Sequence, residues 1–163
     1  MAMTNRPLKP VLTREQLADF FVEAFPGQDR SFHDFVEIKP GFMRLRHSAK
    51  SAMLRPGGIV SGPTQMAFAD RAAYAVILAH IGLVPMAVTS NLNMSFLRGV
   101  RAEDFYADAW LIKLGRRLAT VDVKLWQDDE SVVLAQSTVT YAIPDQQAET
   151  KKGACNRRPF SPV

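Results

Sequence analysis

The sequence predicts an α+β domain: a strongly curved, mostly antiparallel sheet wrapped around one long buried helix. Three observations carry that reading. Residues 66–81 are apolar on almost every side, and a helix of that kind lies either in a protein core or in a membrane. From residue 88 onward the apolar period changes from helical to two, through four long runs. Those runs are joined by breaks as short as Gly115-Arg116 and Asp128-Asp129, which suit antiparallel neighbours. A single sheet covers only one face of a helix. An all-round apolar helix therefore needs a curved sheet, a partner subunit, or both.

The chain has 163 residues, enough for one domain with its own core. Its composition is that of an ordinary globular protein, 47% hydrophobic and 22% charged. The apolar run is short for a bilayer span and carries Asp70 and Arg71 at its centre, which argues against a membrane helix. The net charge of +4 is mild, and the basic residues gather at the two ends (Arg6, Lys9, Lys151, Lys152, Arg157, Arg158). That pattern reads as solvated tails rather than a nucleic-acid site. One cysteine, Cys155, excludes an internal disulfide and a cysteine-based metal cage. His33, His47 and His80 lack metal-ligand spacing. The N-terminus, MAMTNRPLKP, has no apolar signal core, so a cytoplasmic location is expected.

Taken in order, residues 1–12 form a loose lead-in. Thr13-Arg-Glu-Gln16 matches a capping box, in which Thr accepts from the backbone three residues on and Gln reaches back. Leu17, Phe20, Phe21 and Ala24 then recur at helical spacing until Pro26-Gly27. Residues 32–38 and 42–47 read as a strand pair around Lys39-Pro-Gly, where Pro presets the first turn angle and Gly accepts a positive one. Residues 48–54 are polar and unassigned. A glycine- and proline-rich loop, 55–63, leads into the buried helix. Gly82 and Pro85 end that helix. In the next strand Val88, Ser90, Leu92, Met94 and Phe96 take one face and Thr89, Asn91, Asn93 and Ser95 the other. Strands over 105–114, 118–126 and 132–143 follow, and Pro144 ends the last.

This order of elements, together with the loop and helix signature, resembles the hotdog-fold acyl-CoA thioesterases of the PaaI type, in the 4-hydroxybenzoyl-CoA thioesterase superfamily. The family signature runs Asn, Pro, any residue, Gly, two residues, His-Gly-Gly, then a helix reading Leu-Ala-Asp. Here Arg55-Pro56-Gly57-Gly58-Ile59-Val60-Ser61-Gly62-Pro63 occupies the loop, and Phe68-Ala69-Asp70 the helix. Ser95-Phe96-Leu97-Arg98 is similar to the aromatic-Leu-Arg end of the family's next strand, and Gly115-Arg116 to a later turn. Arg55 stands at the Asn position, Ser61 at the His position and Pro63 at the second Gly.

The resemblance implies hydrolysis of an acyl-CoA to free acid and coenzyme A. It makes Asp70 the base or nucleophile and the Gly62 N–H the donor that polarises the thioester carbonyl. Thr89 matches a position where some members carry a hydroxyl near the attacking water. Arg55, Gly58, Ser61 and Pro63 lie in the loop toward the substrate. Read from the residues, Asn91 shares the polar face of Thr89, which either lines the site or is a solvated or inter-subunit face, and the Arg98 guanidinium suits the anionic groups of coenzyme A. No metal or redox cofactor is implied. The partners implied are the acyl-CoA and further copies of the chain in a homodimer or homotetramer, with Asp70 of one subunit meeting the loop of another. The implied layout is an N-terminal extension with an amphipathic helix over 1–29, the hotdog domain over 30–144, and a basic flexible tail over 145–163.

Read from the residues alone, several of these positions keep a plainer alternative. Asp70 is either a base or a structural carboxylate that caps a loop or pairs with Arg71. Thr89 is either a positioned hydroxyl or an ordinary β-branched strand residue, and Arg98 and Arg101 are either phosphate contacts or solvated turn charges. Pro63 has no N–H, so it cannot supply a second donor beside Gly62. Ser61 has no recognisable base partner for a serine nucleophile. Binding of an acyl-CoA or acyl chain without turnover is the alternative to catalysis, motivated by Arg55 and Ser61.

Overall fold

The computed structural model describes residues 8–27 and 34–145. The reading of residues 32 and 33 as strand, and of 146–163 as a tail, lies outside the described residues. Helix α1 spans Arg14–Ala24. Its capping box forms: the Gln16 N–H donates to Thr13 Oγ1 at 3.2 Å and the Thr13 N–H donates to Gln16 Oε1 at 2.9 Å. Leu17 and Phe21 are buried and hold α1 on the rest of the domain.

Strands β1 (Asp34–Lys39) and β2 (Phe42–Ser48) make a hairpin whose turn uses the positive φ of Gly41. The residues left unassigned by pattern contain a single 3-10 turn over Ser51–Met53. Two short strands follow, β3 (Leu54–Arg55) and β4 (Ile59–Val60), which pair with each other. Helix α2 spans Gly62–Ile81, so it starts four residues before its apolar run. Four strands come next: β5 (Val88–Phe96), β6 (Asp104–Leu114), β7 (Leu118–Trp126) and β8 (Ala135–Ala142).

The last strand begins three residues later than its β-rich sequence suggests. Around the turn the Leu134 N–H bonds the Leu125 carbonyl, and the Leu134 carbonyl accepts both Leu97 and Arg98 N–H groups. The Asp129 carboxylate accepts from the Ser131 N–H and hydroxyl and shapes the preceding bend. The backbone groups of this segment are thus committed to a crossing loop rather than a ladder.

The main sheet has six antiparallel strands in the order β1-β2-β6-β7-β8-β5. It curves around α2, which packs on β2, β5, β6, β7 and β8. Met43, Leu45, Phe105, Ala107, Val121, Val123, Leu125 and Val139 point from the sheet into the core. Ala69, Ala72, Ala73, Ala75 and Ala79 on the helix let the strands come close. This is the hotdog arrangement that the resemblance implied. The helix is not covered all round, however. Pro63, Met66 and Ala67 are exposed and Asp70 and Arg71 half-buried. Those positions follow i, i+3, i+4, i+7, i+8, so one continuous stripe of α2 faces outward beside β5. No helix among the described residues is long and apolar enough to cross a membrane.

Candidate functional site at the two ends of β5

The first half of the site is the start of α2. Ser61 is its N-cap: its hydroxyl oxygen accepts from the Thr64 N–H at 3.4 Å and lies 2.8 Å from the Thr64 hydroxyl. Ser61 at the family's His position therefore has a structural task. Pro63 follows in the first turn, where a missing N–H costs the helix nothing. Gly62 is half-buried, and among the described residues its N–H has no hydrogen-bond partner. It sits at the positive end of the helix dipole. The Phe96 ring, from the far end of β5, lies alongside, 3.4 Å from where a Gly62 Cβ would stand.

The loop before Gly62 is a hairpin tip rather than open coil. Pro56 and Gly57 form its corners, and the Gly58 N–H closes the turn on the Arg55 carbonyl at 3.1 Å. Gly57 and Gly58 have φ of 99° and 73°, which a residue with a Cβ adopts only with strain. The Val60 N–H bonds the Val100 carbonyl at 2.8 Å and anchors the hairpin to the connection between the strands at 88–96 and 104–114.

The second half of the site lies eight residues along α2, about 12 Å at the rise of an α-helix. Here one carboxylate oxygen of Asp70, Oδ1, accepts two hydroxyls: Thr89 at 2.7 Å and Tyr141 at 2.8 Å. Oδ2 has no hydrogen-bond partner among the described residues. Burial first, and the Asp70 charge second, push the Tyr141 phenol far above its ordinary range, so it remains a donor. Tyr141 stacks on Tyr74 with ring centroids 5.6 Å apart and planes at 13°. The Tyr74 hydroxyl donates to the Pro85 carbonyl at 3.1 Å, and burial raises its pKa too. Burial lowers the pKa of Arg71, opposed by the neighbouring Asp70 charge.

These groups open onto a cavity of ≈ 570 Å³. Its walls are apolar and aromatic: Phe21 from α1 and Phe25 just past its end, Ala67 and Tyr74 from α2, and Pro85, Ala87 and Val88 from the following segment. Asp70, Arg71, Thr89 and Tyr141 supply the polar groups.

Thr89 reaches Asp70 because of a β-bulge. The β5–β8 register shifts between Thr89 and Asn91, so Thr89 pairs with Tyr141 and Asn91 with Thr140. Tyr141 is buried and its neighbour Thr140 faces the other side of the sheet. The strict alternation expected for β5 puts Thr89 and Asn91 on one face; the bulge separates them. Asn91 therefore lies across the sheet from Asp70, and Leu92 and Met94 turn to the core. Arg98 is exposed and its guanidinium donates to the Val133 carbonyl at 2.8 Å. Arg101 is held by Glu103 at 3.1 Å and Asp128 at 2.7 Å. Within one chain Arg55, Gly58, Ser61, Gly62 and Pro63 gather at one end of β5 and Asp70 with Thr89 at the other. Tyr141 belongs to this site without any motif of its own; its signal in the sequence is its place on the inward alternation of β8. Among the described residues no group of three or more His, Cys, Asp or Glu could hold a metal.

Residues 57–134 match the sequence profile of the thioesterase superfamily. The chain is 34% identical to a candidate thioesterase from a Silicibacter species whose crystal structure superposes with a TM-score of 0.75, covering 86% of this chain and 97% of that one. The chain belongs to the thioesterase superfamily. A second solved thioesterase-like structure, a phenylacetic acid degradation-related protein from Ralstonia eutropha, is 28% identical over 67% of this chain and 83% of that one, with a TM-score of 0.62. It places PaaI-type proteins among the structural relatives of this superfamily member. A Streptococcus mutans protein solved with bound acetyl-CoA shares the fold, at 20% identity and a TM-score of 0.61, over 68% of this chain and 87% of that one.

Proposed function

We propose that this thioesterase-superfamily protein hydrolyses an acyl-CoA thioester to the free acid and coenzyme A. The observation that carries the reading is the Asp70 carboxylate on the wall of an apolar cavity, fixed through Oδ1 and with Oδ2 unbonded among the described residues. The acetyl-CoA bound by the Streptococcus mutans protein supports a coenzyme A ester as the ligand class. Asp70 Oδ2 takes a proton from water as it adds to the thioester carbon, or itself adds to that carbon. In both cases the carbonyl electron pair moves to oxygen, and the Gly62 N–H at the helix dipole receives the oxyanion. Collapse re-forms the carbonyl and expels the coenzyme A thiolate, which takes up a proton; on the water route this gives the free acid directly, and on the direct route it leaves an acyl anhydride on Asp70 that water then hydrolyses to the acid and the restored carboxylate.

Gly62 and Asp70 of one chain are too far apart to act on one carbonyl, which supports a composite site. Among the described residues β5 is an edge strand with one unpaired side, and the stripe of α2 beside it is uncovered. Two β5 strands pairing antiparallel about a two-fold axis near their middle would set Thr89 of one copy beside Phe96 of the other. That brings the Gly62 end of one subunit to the Asp70 end of the next, twice per dimer. A homodimer is thus the smallest active unit, and a tetramer would be two of them.

The test is turnover of an acyl-CoA panel, followed by thiol release, with Asp70→Asn alongside. A general base is worth ~10²–10⁴ in rate, so the variant should lose at least the lower figure. Turnover that survives the substitution removes Asp70 from its role. Tight binding of the panel with no thiol release by the unmodified protein would favour the binding-only alternative, which Arg55 and Ser61 at the family's Asn and His positions motivate.

A further inference from the structure

We infer that Tyr141 is a positioning residue for the Asp70 carboxylate, assigning Oδ1 to the protein and Oδ2 to the substrate. The inference rests on Asp70 being the reacting carboxylate. A carboxylate on an exposed stripe would ordinarily rotate between wells and present either oxygen. Here two hydroxyls from different strands, Thr89 on β5 and Tyr141 on β8, converge on the same oxygen at 2.7 and 2.8 Å. Hydrogen bonds to an ionised group are short and strong, and each withdraws basicity from the oxygen that accepts it. Oδ1 is thereby the weaker base and Oδ2, without a partner among the described residues, the stronger.

Tyr141 is the rigid member of the pair. It is 4% exposed, stacks on Tyr74, and lies within β8, paired on both sides by β5 and β7. Thr89 is exposed and sits at a bulge in an edge strand. The phenol thus sets where Oδ1 rests, and the threonine follows. The titratable or charged groups on the cavity are Asp70, Arg71, Tyr74 and Tyr141, from α2 and β8; α1 and β5 contribute none there.

The experiment compares kcat and KM for the full-length protein, Tyr141→Phe and a variant carrying 3,5-difluorotyrosine at position 141. Tyr141→Phe keeps the ring and its stack but removes the donor to Oδ1. The expected result is a loss of about tenfold in kcat with KM within about twofold. The difluorinated phenol keeps a donor of the same shape, so it should hold kcat within about twofold of the unmodified protein. Tyr106→Phe, a hydroxyl removed on the opposite face of the sheet, should leave kcat in place. Equal kcat for all three side chains at position 141, with Asp70→Asn inactive, overturns the inference. An active Asp70→Asn instead overturns the reading on which it rests.

Discussion

Thr89 donates its hydroxyl to Asp70 Oδ1 at 2.7 Å although the strand that carries it alternates as if Thr89 faced the other way. One extra residue, Ser90, makes the difference: its hydroxyl turns to the Thr140 carbonyl at 3.1 Å and the ladder slips by one. The contact predicts a graded effect of substitution. Thr89→Val keeps the β-branched shape and removes one of two donors to Oδ1. Under the proposed chemistry kcat should fall roughly tenfold, with stability nearly unchanged because the site is exposed. Thr89→Ser should recover most of the loss. Steady-state kinetics and thermal melts of the two variants check this, and a fully active Thr89→Val would leave the contact without a catalytic part.

Most of the fold could be read from the chain because the strands bury one face each and so alternate cleanly. The bounds of β7 are legible because Val121, Val123 and Leu125 share one face between two sharp turns. The candidate site was harder. Asp70 and Gly62 stood out through their place in a glycine loop and apolar helix, yet the bulge at Ser90 leaves no mark in a run of small polar residues. Tyr141 contacts Asp70 across 71 positions, a pairing that only the strand order β7-β8-β5 creates. The start of α2 is legible at Pro63, which suits a first helical turn, with Ser61 before it as the N-cap signal.

Gly62 separates a fold role from a functional one. It does not occupy the left-handed region, and a Cβ there would touch only the end of the Phe96 ring at 3.4 Å. Gly62→Ala should therefore melt within about 2 °C of the unmodified protein, since Ala is the better helix former. The added methyl would nevertheless stand beside the unpaired N–H and hold a carbonyl away from it. Loss of one oxyanion donor costs ~10²–10³ in kcat in other enzymes, and a fall of at least tenfold is expected here. An unchanged kcat/KM would place the oxyanion elsewhere.

His80 joins the end of α2 to the β1–β2 turn. Its Nε2 accepts the Gly41 N–H at 2.9 Å and its Nδ1–H donates to the Val76 carbonyl at 2.7 Å, which fixes the neutral tautomer. Burial pushes its pKa below the ordinary histidine value, against backbone hydrogen bonds of Val76 and Lys39 that favour the charged ring. The unfolded chain then takes up a proton near pH 6.5 that the folded chain resists. This contribution to stability is complete above that pH and is lost as the pH falls toward the lower, folded value. Thermal melts from pH 7.5 to 5 should show the unmodified protein losing stability faster than His80→Gln, whose amide can keep both contacts without titrating. Parallel curves for the two proteins would assign the acid sensitivity to other groups.

Phe25 closes α1 over the cavity and is a natural limit on what the cavity admits. Its ring meets Tyr74 edge-on at 6.5 Å and leans on Phe21 at 5.5 Å, while 39% of the residue stays exposed. A half-exposed Phe contributes less to stability than a core one, so Phe25→Ala should cost well under the ~3–5 kcal/mol of a buried truncation. The cavity itself gains room beside Tyr74. Each methylene newly buried there is worth ~0.8 kcal/mol, close to fourfold in kcat/KM. A series of saturated acyl-CoAs should accordingly shift its optimum toward longer chains in Phe25→Ala, with the shortest esters turned over no faster than before. An optimum that stays in place would mean that the acyl group ends short of α1, and that Phe21 and Phe25 serve only the core.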